Sequence, residues 1–165
     1  MPIADDLERI ALQEQTLQYA SFDEEAAWRL GSQLRALAVE RGHALVVDIR
    51  RPGQSLFYSA LPGTTPDNAE WVRRKSNVVL RFHRSSFAVG LDLEQRKTSL
   101  LERWGLPMAD YASHGGSFPI RVRGSGCVGA ATVSGLAQRD DHNLVVEALC
   151  LELDQSYDAL RLPPA

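Results

Sequence analysis

The apolar positions of this chain fall into two kinds of spacing, and the alternation between them predicts its elements. Leu7, Ile10 and Ala11 stand at helical intervals in "DDLERIALQEQTL", with Asp5 or Asp6 placed to cap the helix. Ala27, Leu30, Leu34, Leu37 and Ala38 repeat mostly every three or four residues, so a second helix is expected over 22–41. Ser21 and Glu24 form an S-x-x-E capping box before it, and Gly42 is placed to end it. "ALVVDIRR" (44–51) and "SLFYSA" (55–60) flank "PGQ" and read as a hairpin. A helix is expected from about Ala69, opened by Asp67 and Glu70 as a second capping box, with Val72, Val79 and Phe82 on one side. A break near Arg84–Ser86 starts another helix carrying Leu91 and Leu93, and a short one over 98–107 stops at Gly105 and Pro107. After the polar loop 108–117, strands are expected over 118–124 and 127–135, joined by Ser125-Gly126. The last helix carries Leu144, Val145, Ala148 and Leu149, with Asp140 or Asp141 as its cap, and the tail from about 156 is expected to fray.

The resulting order is α-α-β-β-α-α-α-β-β-α, with room for one further strand. Two hairpins imply antiparallel pairing, and their apolar character demands helices over the sheet. The fold class expected is α+β: an antiparallel sheet flanked by helices, one domain over 1–165, in a profilin-like or similar three-layer arrangement. Small residues at Gly129, Ala130 and Ala131 let another backbone approach the last strand closely.

Composition narrows the function classes. The 165 residues are 44% hydrophobic and 24% charged, ordinary values for a globular chain. Eighteen basic against 21 acidic residues give a net charge of -3, which argues against a nucleic-acid partner. The first residues carry Asp and Glu where a signal peptide has Lys or Arg, and no apolar run reaches membrane-spanning length. Cys127 and Cys150 make no C-x-x-C and read as buried free thiols, so a reducing cytoplasmic compartment and no membrane partner are expected.

The chemistry concentrates in three places. His114-Gly115-Gly116 joins an imidazole that titrates near neutrality to two residues that let a ligand approach the backbone. It reads either as a pocket wall or as a turn feeding the next strand. Arg73, Arg74 and Lys75 turn roughly 100° per step and cannot share a face. They read as an anion site or as a solvated face, with Lys75 spaced to stack on Trp71. Asp141 and His142 sit at a helix start, where the dipole favours a neutral ring able to coordinate metal. His43 and His83 complete the histidines, and none has a metal-motif spacing. "GSGCVG" has dinucleotide-loop letters but leads into a strand rather than a helix.

"LPGTTPDNAEWVRRKSNVVLRFHRSS", "YASHGGSFPIRV" and "TVSGLAQRDDHNLVVEAL" resemble the cytosolic branch of the haem-degrading-domain family, over roughly residues 5–154. That family includes a secreted haem-binding protein and a glycolate-operon protein. The resemblance implies a compact α/β domain that forms symmetric homo-oligomers, with haem as the implied cofactor, and it transfers no catalytic residue.

Three functions stay open on the sequence. The first is an oligomeric binder of haem or another small anionic ligand at His114, Gly115, Gly116, Arg73, Arg74, Lys75, Asp141 and His142. The second is a scaffold without chemistry. The third is an enzyme using His114 or His142 with Asp141 or Asp110.

Overall fold

A computed structural model describes residues 2–165. Its elements are α1 (Ile3–Thr16), β1 (Gln18–Tyr19), α2 (Glu24–Glu40), β2 (Val46–Arg51), β3 (Gln54–Ala60), α3 (Pro66–Phe82), α4 (Ser86–Gln95), α5 (Leu100–Trp104), β4 (Ser117–Val122), β5 (Gly126–Ser134), α6 (Gln138–Glu152) and α7 (Tyr157–Leu160). The strands form one sheet in the order β1-β4-β5-β2-β3. The hairpins β2–β3 and β4–β5 and the central β2–β5 pair are antiparallel, and the two-residue β1 joins β4 in parallel. The α+β reading holds, and β1 is the further strand.

Side-chain alternation assigns the layers. Val47, Ile49, Phe118, Ile120, Ala131 and Val133 share one apolar cluster with Leu30 and Leu34 of α2 and Leu144, Val145 and Leu149 of α6. Their neighbours Asp48, Ser117, Thr132 and Ser134 are buried on the other face, where α3 lies against β4 and β5. Ala130 and Ala131, both fully buried, let helices close on the sheet from both sides.

The helix starts differ from expectation. Asp23, not Ser21, caps α2: its carboxylate accepts the Ala26 N–H at 2.8 Å, because the helix begins at Glu24. The α3 box lies two residues upstream of Asp67 and Glu70. The Thr65 N–H donates to the Asn68 side chain at 2.9 Å, and Pro66 takes the first helical position, where no N–H is needed. Helix α1 starts at Ile3 after Pro2, leaving Asp5 and Asp6 inside its first turn. Helix α6 follows Ala137, so Asp140 and Asp141 lie inside it. The tail does not fray: α7 forms, Leu160 and Leu162 are buried, and Asn143 bonds the Leu162 backbone both ways at 3.0 Å. Among the described residues no helix is long and apolar enough to cross a membrane.

Candidate functional site

Helix α3 distributes its three cations to three tasks. Arg73 turns outward to Glu70 and Asp110, each at 3.0 Å, and to the Ala109 carbonyl at 2.8 Å. Arg74 lays its guanidinium 4.5 Å from the centre of the Trp71 ring while its Nε donates to the Met108 carbonyl at 2.9 Å. With Asn77 donating to the Asp110 carbonyl at 2.8 Å, these bonds strap the loop after α5 along α3. Lys75 points inward and is 2% exposed, so the expected Lys75–Trp71 stack does not form. Arg74, one residue earlier, occupies the indole instead.

That strap delivers His114 to Trp71. The two rings meet edge-on, centres 5.0 Å apart at 80°. The imidazole is exposed on one side, yet partial burial and the nearby Lys75 and Arg74 cations hold its pKa below the ordinary histidine value. It is therefore largely neutral at pH 7, with a ring nitrogen able to accept a metal or a proton.

Three cavities meet at His114. The first, about 440 Å³, is lined by Trp71 and Arg74 of α3, Gly90, Leu93 and Glu94 of α4, Leu100 and Leu101 of α5, and Leu106, Met108 and Tyr111 of the strapped loop. Apart from Arg74, Glu94 and His114 its wall is mostly apolar. Met108 and Leu101 stand 77% and 62% exposed at this site. A second cavity of about 280 Å³, behind the Trp71–His114 pair, is polar and takes in Asp67, Asn68, Gln138 and the buried Lys75–Asp141 pair. A smaller one of about 190 Å³ joins His114 to Phe87, Glu94 and Gln138.

The two glycines sit where side chains do not fit. A Cβ on Gly115 would overlap the Gln138 carbonyl, and Gly116 has φ +129° with Val133 and Lys75 packed against it. The Gly115 N–H already donates to Gln138 Oε1 at 3.2 Å. Asp141 is 2% exposed and ion-paired with Lys75 at 3.1 Å, and it also accepts the Leu136 N–H at 3.0 Å. Burial pushes the Lys75 pKa down and the Asp141 pKa up, while their mutual attraction opposes both shifts.

His142 is separate from this site. It is fully buried among Phe87, Phe118 and Gln13, with Nε2 at 2.8 Å from Gln13 Oε1 and Nδ1 unpartnered. Burial first, and the Arg139 charge second, drive its pKa down to about 3. The structure thus brings His114, Arg74 and Trp71 to one cavity, and places Lys75 and Asp141, with Gly116 packed against them, at the polar cavity that shares Trp71 and His114. Arg73 is turned away to the loop and His142 into the core. The α4 and α5 residues of the wall carried no sequence signal, since their apolar spacing is that of any core-facing helix. Among the described residues no cluster of His, Cys, Asp and Glu has metal-binding geometry.

Residues 22–150 match the HbpS-like haem degrading protein family. The chain belongs to that family. It is 57% identical to a UPF0303 protein of Acidobacterium capsulatum over 165 residues, covering 100% of both chains. It is also 57% identical over 162 residues to one of Burkholderia thailandensis, covering 98% of each. Among solved structures, Ybr137w superposes with a TM-score of 0.83 at 29% identity, over 90% of this chain and 87% of that one. A PduOC–haem complex shares the fold, with a TM-score of 0.65 at 17% identity, over 79% of this chain and 92% of that one.

Proposed function

We propose that this family member binds a haem-type ligand in the 440 Å³ cavity, with His114 as the residue that would hold the iron and Arg74 as the cation facing a ligand carboxylate. The observation that carries this is the position of His114: a largely neutral imidazole, exposed on one side, at the edge of an apolar cavity. The donor set suits the group. Neutral imidazole is an iron ligand, the apolar wall suits a macrocycle, and the volume lies within the range of small-molecule sites, about 300–1,000 Å³. When bound, such a group supplies redox chemistry at iron. The chain itself contributes the nitrogen, the cation and an apolar wall. A haem complex of a protein with this fold supports the choice of ligand.

The protein is proposed to act as a cytoplasmic homo-oligomer. The exposed Trp28 of α2 and Tyr58 of the edge strand β3, 61% and 52% accessible, offer apolar area for self-association. Size-exclusion elution as a concentration-independent monomer would refute that part.

Haemin titration tests the site. Purified protein is expected to give a saturable Soret shift, and His114→Ala to weaken binding by about tenfold or more while hardly moving the melting temperature. A wild-type titration without saturation overturns the reading.

A further inference from the structure

We propose that Lys75 is a positioning residue for the His114 site, holding the imidazole in place through the carbonyl of Gly115; this rests on the reading of His114 as the ligand-holding residue. A lysine 2% exposed has lost its water, and folding tolerates that only where the ammonium is fully satisfied. Here all three of its donors are used. Nζ lies 3.0 Å from the Gly115 carbonyl, 2.8 Å from the Val133 carbonyl and 3.1 Å from Asp141 Oδ2. Those acceptors belong to the turn after His114, the end of β5 and the first turns of α6. One side chain from α3 therefore ties three segments together at the polar cavity that shares Trp71 and His114 with the larger one.

The turn is held from other directions as well. The Gly115 N–H is bound to Gln138 Oε1 at 3.2 Å, and the Ser113 carbonyl packs directly on Gly90, where a Cβ has no space. The backbone is thus fixed before and after His114, while its ring remains exposed against Trp71.

A role in stability alone does not require this chemistry. A well-packed apolar pair often replaces a buried ion pair without loss of stability, so the ion pair by itself is weak evidence for a purely stabilising role. What an apolar pair cannot do is aim the Gly115 carbonyl, and with it the preceding residue. Fixing a binding group before the ligand arrives removes an ordering cost from binding.

The test combines the double variant Lys75→Met/Asp141→Leu, which removes both buried charges together, with Lys75→Gln, whose shorter amide has two N–H donors for the three acceptors that Nζ holds. The first readout is the His114 Cε1–H NMR resonance of the ligand-free protein, assigned by its loss in His114→Asn and sensitive to the Trp71 ring current. The second is the haemin dissociation constant. In folded variants the resonance is expected to move toward the position of a free histidine, and the dissociation constant to rise about tenfold. A folded double variant with the wild-type resonance and wild-type affinity overturns the proposal. If that variant does not fold, the resonance in Lys75→Gln decides by the same criterion. If the wild-type protein takes up no haemin, the haem reading falls, and the resonance alone decides whether Lys75 positions His114.

Discussion

Mild acid should destabilise this protein through His142. In the unfolded chain its imidazole takes up a proton near the ordinary value of about 6.5. In the fold it does so only near about 3, because the ring is fully buried beside Phe87 and Phe118 with Arg139 close by. Between those values the unfolded state binds one more proton than the native state, so stability falls as pH falls, by up to about 1.4 kcal/mol per pH unit. From about pH 7.5 to about pH 4.5 the integrated loss from this residue is about 3 kcal/mol, a large share of an ordinary domain's stability. Glu14 and Asp141, whose pKa values burial raises, work in the opposite direction toward the acid end. The single residue is therefore isolated by comparison with His142→Asn. Urea unfolding across this range gives the slope of stability against pH for each protein. The substitution lowers stability at neutral pH by loss of packing, but its slope should be shallower by nearly one proton. Equal slopes in the two proteins would show that His142 does not stay neutral in the native state.

Other substitutions test the packing. Asp23→Ala should cost about 0.5–2 kcal/mol by removing the α2 cap, and Ser21→Ala much less; denaturant melts that reverse this order would contradict the cap assignment. Gly31→Ala places a methyl group into the Phe57 ring, so overpacking of about 1–3 kcal/mol should outweigh a helix-propensity gain of about 1 kcal/mol, and a stabilised variant would refute it. Asp141→Ala leaves Lys75 buried without its partner and should cost about 3–5 kcal/mol in the same assay.

The sheet and its helices were legible because burial here follows simple periods. Leu30, Leu34 and Ala38, read as one stripe, are all fully buried, and both hairpins lie where turn residues and apolar runs placed them. Helix starts were less legible. Several polar residues precede each helix, and only the backbone decides which one caps it: Asp23 rather than Ser21, and Thr65 with Asn68 rather than Asp67 with Glu70. His114 was visible as a candidate, but its neighbours were not. Trp71 lies 43 positions earlier in the chain, and Gly90, Leu93 and Leu100 line, from two other helices, the cavity whose further wall is the loop strapped to α3. No local spacing encodes a contact of that range.

The run Arg73-Arg74-Lys75 shows how a helix dissolves an apparent basic patch. Three cations in a row suggest a strong positive field, yet the 100° step sends them apart. Arg73 is neutralised by Glu70 and Asp110, and Lys75 by Asp141. Only Arg74 has no carboxylate partner among the described ion pairs, and it is the one that lines the cavity. Its ring stacking and its bond to Met108 use the face of the guanidinium and Nε, leaving the terminal nitrogens for a ligand. The attraction this site offers an anion is therefore that of one cation, and Arg74→Gln should remove most of the salt dependence of haemin binding, measured by titration at low and high ionic strength. Arg73→Gln, which removes a cation already paired twice, should leave that salt dependence nearly unchanged. If Arg73→Gln instead removes it as fully as Arg74→Gln, the site is reading the summed charge of α3, and the assignment of the anion contact to Arg74 is wrong.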